Sequence, residues 1–432
     1  MPASDIFAEL SWRGLIHQTT AEDSVQAWLN AKPRTMYIGF DPTSDSLHVG
    51  SLMQMMTLRR FQKAGHRPIV LVGGATGMIG DPSGKSDERN LLSVDDLNRN
   101  VAGMQQQMMR LLDFDSGDNS AVLVNNFDWM QGFGYIEFLR DVGKNFPVNV
   151  MLAKESVKNR LDRTDGGISY TEFSYMLLQA YDFVHLHDKF GCELQVGGSD
   201  QWGNITAGID LARRMRGVQL QGMTCPLLTK ADGTKMGKTE SGAVWLSAEK
   251  TSPYAFYQYW INVADDEAGK CLRLLTELDC KEIEELDQSR RSEPHLRDSQ
   301  KRLAEHLTEL VHGANGLKAA RQATETLFGA EIDRLHDKEL AEIFADVPSK
   351  YLSANLLSAG ISLIDALVEA GLAKSKGEAR RTIEQGGAYI NNRRCGEIDR
   401  CLTRDDLASE TMIVLRSGKR KYALLRFQEA VF

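Results

Sequence analysis

Met36-Tyr-Ile-Gly-Phe40, Asp41-Pro-Thr-Ser-Asp45, His48-Val-Gly-Ser51 and Ile69-Val-Leu-Val72 decide the fold of this chain. The first stretch alternates, so Met36, Ile38 and Phe40 share one face of a strand, and Tyr37, Gly39 and Asp41 share the other, where chemistry would sit. Asp41–Asp45 closes the strand as a turn. Leu52, Met55, Met56, Leu58 and Phe61 then recur at helical spacing until Gly65 and Pro68 stop the helix. The unbroken Ile69–Val72 run reads as a buried parallel strand, so residues 36–73 are predicted to form one βαβ unit. His48 falls at the start of the helix, where free N–H groups and the helix dipole favour an anion. Gly50 lacks the Cβ that would hold a nucleotide away. Alone, His48-x-Gly50 fits a surface histidine beside a packing glycine better than it fits a nucleotide site.

The stretch Thr229–Gly242 holds three glycines, four hydroxyls and three lysines with almost no apolar side chain. It is predicted to be an unpacked, mobile loop whose Lys235 and Lys238 close on a leaving polyanion and open again. A solvated hairpin with ordinary surface lysines fits the same composition. Gly73–Ser86 is glycine-rich but is not a Walker loop, because only three residues separate Gly80 from Gly84. Its glycines at 74, 77 and 80 also miss the dinucleotide fingerprint. What remains is a turn after a strand, with Asp81 placed where a carboxylate holds an ammonium group.

His48-Val-Gly-Ser51 and Lys235-Met-Gly-Lys-Thr239 resemble the His-Ile-Gly-His and Lys-Met-Ser-Lys-Ser signatures of class I aminoacyl-tRNA synthetases. Six further blocks resemble the bacterial tyrosyl-tRNA synthetase family: Tyr37–Thr43, Leu71–Gly77, Gly80–Pro82, Thr171–Asp182, Gly197–Asn204 and Ala231–Lys235. The match covers nearly the whole chain. It implies an α/β fold: a Rossmann-like parallel-sheet catalytic domain over 1–245, with an insertion at about 115–170 that contributes to a dimer interface. An α-helical domain on the anticodon-stem side (246–328), a linker (329–352) and a small α+β ribosomal S-four-type RNA-binding domain (353–432) follow. Ser51 stands where the signature has its second histidine, a ring that in the family helps to hold the nucleotide. Weaker ATP contact is expected there. Gly237 and Thr239 replace two serines of the general signature, a variant that the tyrosine branch also shows.

The resemblance also implies roles. His48, Lys235, Lys238, Thr43 and Thr239 would act on the reacting phosphates, and Gly39, Asp41, His48, Gly50, Ser51, Gly198, Asp200 and Lys238 would hold ATP. Ser169-Tyr-Thr-Glu172 reads as a helix start, after which Tyr175, Gln179 and Asp182 at i, i+4 and i+7 share a face and suggest a pocket wall. By resemblance Asp182 and Tyr37 would pair with the phenol hydroxyl of L-tyrosine, Tyr175, Gln179 and Asp81 would hold its amino group, and Gln201 would lie near its carboxylate. A site built to hydrogen-bond a hydroxyl leaves buried groups unpaired when phenylalanine enters. A buried polar network that only specifies packing is the plainer alternative.

Composition sets outer bounds. The 432 residues imply two or three domains, and 42% hydrophobic with 25% charged residues is ordinary for a soluble globular protein. Neither a signal peptide nor a membrane span is expected. The six cysteines form no Cys-x-x-Cys pair, which suggests reduced thiols, a cytoplasmic location and no structural metal. Net charge is −8, yet residues 350–432 carry fourteen Lys/Arg against ten Asp/Glu, leaving −12 on the remainder. That basic tail has order: Ser375-Lys-Gly-Glu378 starts a helix, Gly386-Gly387 ends it, and Ala388–Asn391 is a strand entering an Asn-Asn turn. Lys374, Lys376, Arg380, Arg381, Arg393 and Arg394 are the candidate RNA contacts.

The expected activity is attack of the tyrosine carboxylate on the α-phosphate of ATP, with Mg2+ carried on the phosphates, followed by acyl transfer to tRNA(Tyr) by a homodimer. No bound prosthetic group and no metal site are expected. Three alternatives stand: a tryptophan-activating relative, a noncatalytic RNA-binding or splicing-type protein on the same body, and adenylation of tyrosine for another acceptor.

Overall fold

The computed structural model describes all residues except 1–4, 21–23, 84–92, 116, 162–166, 240–241, 328–331, 333–334, 346, 419–420 and 429–432. The chain divides into two compact units, one of Met1–Thr251 with Trp260–Val311, the other of Ser252–Tyr259 with His312–Phe432.

The first unit is built on a six-stranded sheet of β1 (Gln18–Thr19), β2 (Thr35–Phe40), β3 (Arg67–Val72), β4 (Val122–Asn125), β5 (Cys192–Gly198) and β6 (Gln221–Cys225). The strand order is β1-β6-β5-β2-β3-β4, with every pair parallel except β1 with β6. The expected βαβ unit is present: β2, α1 (Val49–Lys63) and β3 follow in sequence, with Tyr37 opposite Ile69 and Phe40 opposite Val72. From β2 the chain winds outward to β3 and β4, then returns to the other side of β2 to lay down β5 and β6. The crevice beyond the carboxyl ends of β2 and β5 is therefore the topological switch point, where open parallel sheets bind ligands.

Three helices shape that crevice. In α1, Leu52, Met55, Met56, Leu58 and Phe61 are all buried, and His48 is the N-cap, its side chain accepting from the Ser51 N–H. α2 (Val94–Leu111) buries Leu97, Val101, Met104 and Met108 along one stripe. α3 (Tyr170–Phe190) is capped by Ser169 and ends at Gly191, which takes a left-handed conformation. Its Phe183, Val184 and Leu186 join Tyr37, Ile69 and Leu71 in one core. Glu172 in its first turn forms a buried ion pair with Arg160, at 3.0 and 3.1 Å. α4 (Trp202–Arg216) connects β5 to β6, and α5 (Asp265–Leu275) follows the second signature.

The second unit contains a five-stranded sheet of β7 (Ser349–Ser353), β8 (Ala388–Ile390), β9 (Arg393–Cys395), β10 (Met412–Ser417) and β11 (Lys421–Gln428), in the order β9-β8-β10-β11-β7. Asn391 and Asn392 both have positive φ, 49° and 62°, which a two-residue hairpin turn requires and asparagine tolerates. The helix expected before this hairpin is α6 (Lys376–Glu384), capped by Ser375. Its Glu378 carboxylate accepts from the Lys374 N–H, one residue before the position a capping box uses.

Two parts of the expected division look different in three dimensions. The helical stretch foreseen as one domain over 246–328 is shared between the units, and Gly313 inside its last helix has φ 74° and ψ 176°, which interrupts the helix. The stretch foreseen as a linker, 329–352, contains the helix Asp337–Ile343 and most of β7. Leu340, Ile343 and Phe344 are buried with Val414 and Leu424 in a core of the second unit, because their apolar side chains occur at helical spacing.

Candidate active site

A cavity of roughly 320 Å³ opens at the switch point of the sheet. It brings together Tyr37, Gly39, Asp41, Thr43, His48, Ser51, Asp81, Tyr175, Gln179, Asp182, Asp200, Gln201 and Lys235, residues that lie nearly two hundred positions apart in sequence. Gly50 and Gly198 do not line it. A Cβ at Gly50 would press on the His48 ring at 2.8 Å, and one at Gly198 would meet the Asp200 carboxylate at 2.7 Å. The missing Cβ of each glycine makes room for a side chain of the site. Lys238 and Thr239 pair as a short strand with Gly242–Ala243, and their side chains lie outside the described residues.

The floor is acidic and dry. Tyr37 and Asp182 are 1% exposed, and the Tyr37 hydroxyl has no hydrogen-bond partner among the described residues. The Asp182 carboxylate accepts from Asn126 Nδ2 at 3.1 Å and Trp129 Nε1 at 2.9 Å, and the Trp129 ring stacks on His185. Burial pushes Asp182 up to about 8, against the pull of those two donors. The Tyr37 phenol is raised well above its ordinary value by burial and then by the charge of Asp182. Sequence reasoning missed Asn126 and Trp129, which lie in the segment read as an insertion. No motif marks them.

A hydrogen-bonded wall rises from this floor. Gln201 Nε2 donates to Asp81 Oδ2 at 2.6 Å, Gln179 Nε2 donates to Gln201 Oε1 at 3.2 Å, and the Ser83 N–H donates to Asp81 Oδ1 at 2.9 Å. Tyr175 stands elsewhere than beside Asp81 alone: its hydroxyl donates to Asp41 Oδ2 at 3.1 Å, while Thr76 Oγ1 donates to Asp41 Oδ1 at 3.0 Å. Burial, then the nearby Asp41 and Asp81 charges, raises the Tyr175 phenol well above its ordinary value. The Gln179 and Gln195 carbonyl oxygens are buried without a partner among the described residues. Two carboxylates and idle acceptors give this wall the chemistry of an ammonium site.

At the rim the two signature stretches are stitched together by backbone. The Val49 N–H donates to Val244 O at 3.0 Å, the Leu246 N–H to Leu47 O at 2.8 Å, and His48 bridges Trp245. The turn before α1 is tied in turn to α2, with the Leu47 N–H donating to Gln107 Oε1 at 2.9 Å. His48 Nδ1 accepts from the Ser51 N–H at 3.3 Å. The expectation that Thr229–Gly242 packs against nothing needs correction. Ala231–Lys235 is exposed, but Met236 is buried with its Sδ 3.4 Å from Cys271 Sγ of α5. Gly237 has φ 83°, and a Cβ there would stand 3.0 Å from the Val49 Cβ. One apolar side chain in a polar loop is enough to anchor it.

In the second unit, Lys374, Lys376, Arg380, Arg381, Arg393 and Arg394 are the predicted RNA contacts, and all six are exposed. Lys376 pairs with Asp365 at 2.6 Å, and Arg394 is held by donating to Gly386 O at 2.7 Å. The missing Cβ of Gly386 gives that guanidinium its place. All six cysteines are free, and among the described residues no helix is long and apolar enough to cross a membrane.

A parallel sheet with its cavity at the switch point, rimmed by these two signatures, is the arrangement of a class I synthetase, and the family tRNA synthetases class I (W and Y) matches residues 29–329. The tyrosine–tRNA ligase SYY-like C-terminal domain matches residues 339–425. The chain is 59% identical over 427 residues to the tyrosine–tRNA ligase of Rhodopirellula baltica, covering 99% of this chain and 97% of that protein. It is 52% identical to that of Roseiflexus castenholzii (98% and 99% covered) and 50% identical to that of Geobacillus stearothermophilus (98% and 100% covered). Among solved structures, a C-terminally truncated mitochondrial tyrosyl-tRNA synthetase of Aspergillus nidulans aligns with a TM-score of 0.68 at 31% identity, over 75% of this chain and 94% of that one. The chain belongs to the bacterial tyrosine–tRNA ligases.

Proposed function

We propose that the cavity binds L-tyrosine with its phenol on the Tyr37–Asp182 floor and its ammonium on the Asp81 wall, and joins its carboxylate to ATP as tyrosyl-adenylate. The single observation that carries this is a buried carboxyl beside an unpartnered buried hydroxyl, at the bottom of a cavity whose rim holds both signatures. Tyr37 and Asp182 leave hydrogen-bonding capacity that a phenol, donor and acceptor at once, fills, whereas an indole offers only a donor and a phenyl ring neither. Tyr175 and Gln179 sit on the same wall as Asp81, and Gln201, already bonded to Asp81, is placed to meet the amino-acid carboxylate.

ATP enters as its magnesium complex. Gly39, Asp41, Ser51 and Asp200 line its side of the cavity, with Gly50 and Gly198 behind. The carboxylate attacks the α-phosphate in line while His48, Thr43 and Lys235, with Lys238 and Thr239 of the same loop, stabilise the charge that develops as pyrophosphate leaves. No covalent protein intermediate is required. The tyrosyl group then passes to the terminal adenosine of tRNA(Tyr), which the basic residues of the second unit help to hold through its phosphates.

A homodimer fits the apolar side chains exposed between residues 135 and 170, including Tyr135, Ile136, Val148 and Tyr170. Free cysteines fit a reducing, cytoplasmic setting. The test is ATP–pyrophosphate exchange across the twenty amino acids, then charging of tRNA(Tyr). Tyrosine-dependent exchange is the expected result. Exchange with tryptophan, or none, defeats the reading.

A further inference from the structure

The turn that brings Thr43 to the cavity is fastened at both ends. Asn100 Nδ2 of α2 donates to Pro42 O at 2.9 Å, and Leu47 is held by Gln107 and Leu246. Between these ties α2 lies hard against the turn, since a Cβ on Gly103 would collide with Asp45 O. The tip is gripped from the opposite side of the rim. Lys250 Nζ donates to Ser44 Oγ at 2.9 Å and pairs with the Asp45 carboxylate, while Ser44 Oγ donates to Asp45 Oδ1 at 3.1 Å, which closes a triangle. The same ammonium stands 4.6 Å from the centroid of the Trp245 ring, and that ring lines the cavity 6.2 Å from the ring of His48. Lys250 itself has a firm base. The Thr251 N–H donates to Ser247 O at 3.0 Å, the Trp245 N–H to Thr251 Oγ1 at 3.0 Å, and the Ser247 N–H to Ser46 Oγ at 3.1 Å. With side chains 34% and 53% exposed, the Lys250–Asp45 pair adds little to stability. What it fixes is position.

We propose that Lys250 is a positioning residue of the activation step: its ammonium joins the Ser44–Asp45 tip to the Trp245 ring and so sets the spacing of Thr43 and His48 around the departing phosphates. Lys250 lies outside the cavity lining and acts through those two residues. Displacing such groups by about 1 Å costs up to about a hundredfold in rate. The inference rests on the reading of the cavity as the site of ATP activation.

The experiment is single-turnover formation of tyrosyl-adenylate by the full-length protein, with ATP and tyrosine varied, in Lys250→Met, Lys250→Arg, Asp45→Ala and the double variant D45A/K250M. In Lys250→Met the maximal rate should fall about tenfold to a hundredfold, while half-saturation by ATP and by tyrosine and the urea unfolding midpoint stay at native values. Lys250→Arg keeps the charge, the reach and the stacking on Trp245, and should recover most of the rate. Asp45→Ala should slow the native protein but add little in the Lys250→Met background, where the triangle is already open. A maximal rate within about twofold of native in Lys250→Met overturns the proposal, and so do losses that multiply in the double variant. An unchanged rate with weaker ATP saturation would make Lys250 a nucleotide contact, and a fallen urea midpoint or tyrosine affinity would make it a general prop of the fold; either overturns positioning. Absence of adenylate formation in the native protein overturns the ATP reading beneath it, and the two failures are thereby told apart.

Discussion

Asp182→Asn replaces a carboxyl whose titration is set by burial with an amide of the same shape that does not titrate. In the folded chain Asp182 is pushed up to about 8 from an ordinary 3.8, first by desolvation. Between those two values the folded protein holds a proton that the unfolded chain has released, so native stability falls as pH rises. The contribution is fully present at low pH, and integrating from pH 5 to pH 9 gives a loss of about 4 kcal/mol, more than half of it before pH 7. The amide of the variant escapes that slope. It meets a different cost, because it cannot accept from both Asn126 and Trp129, but that offset does not vary with pH. Urea unfolding followed by tryptophan fluorescence suits the test, since Trp12, Trp28, Trp129, Trp202, Trp245 and Trp260 all lie in the first unit. The stability of the variant relative to the native protein should climb by about 4 kcal/mol between pH 5 and pH 9. Parallel pH profiles for the two proteins would refute the reasoning and show a floor that water reaches.

Tyr37→Phe removes a buried hydroxyl that has no partner, so thermal unfolding should be unchanged or raised by up to about 1 kcal/mol, while tyrosine affinity by dialysis falls about tenfold. Arg160→Met strands the buried Glu172 carboxylate and should cost about 3–5 kcal/mol in the same urea assay, with much of it recovered in R160M/E172Q. Gly103→Ala builds a methyl into the carbonyl oxygen of Asp45 and pushes α2 from the turn that leads to His48. A stability loss of about 1–3 kcal/mol and a higher KM for ATP in pyrophosphate exchange are expected.

Much of the site was legible before any coordinates, for local reasons. Alternation in Met36–Phe40 assigns Tyr37 and Asp41 to a single face, and helical spacing puts Tyr175, Gln179 and Asp182 on one stripe. The cap at His48 follows from a helix that must begin after a turn. What stayed hidden was partnership. Nothing near Asn126 or Trp129 announces that their N–H groups hold Asp182, since the contact spans more than fifty residues and uses side chains common in ordinary loops. The pairing of Tyr175 with Asp41 crosses 134 positions. Met236 shows the reverse error: a loop judged by its composition as unable to pack is pinned by its single thioether.

The amino-acid order by itself settled the βαβ unit, the caps, the two signatures and the polar stripe, because each depends on neighbours within a few turns of backbone. Tertiary structure alone decided which of these meet, that the rim is closed by backbone pairing between Leu47–Val49 and Val244–Leu246, and that the Asp182 carboxyl is dry enough to keep its proton near neutrality. Desolvation is a property of everything packed around a group, and that surrounding is assembled from segments whose separation along the chain carries no local signal.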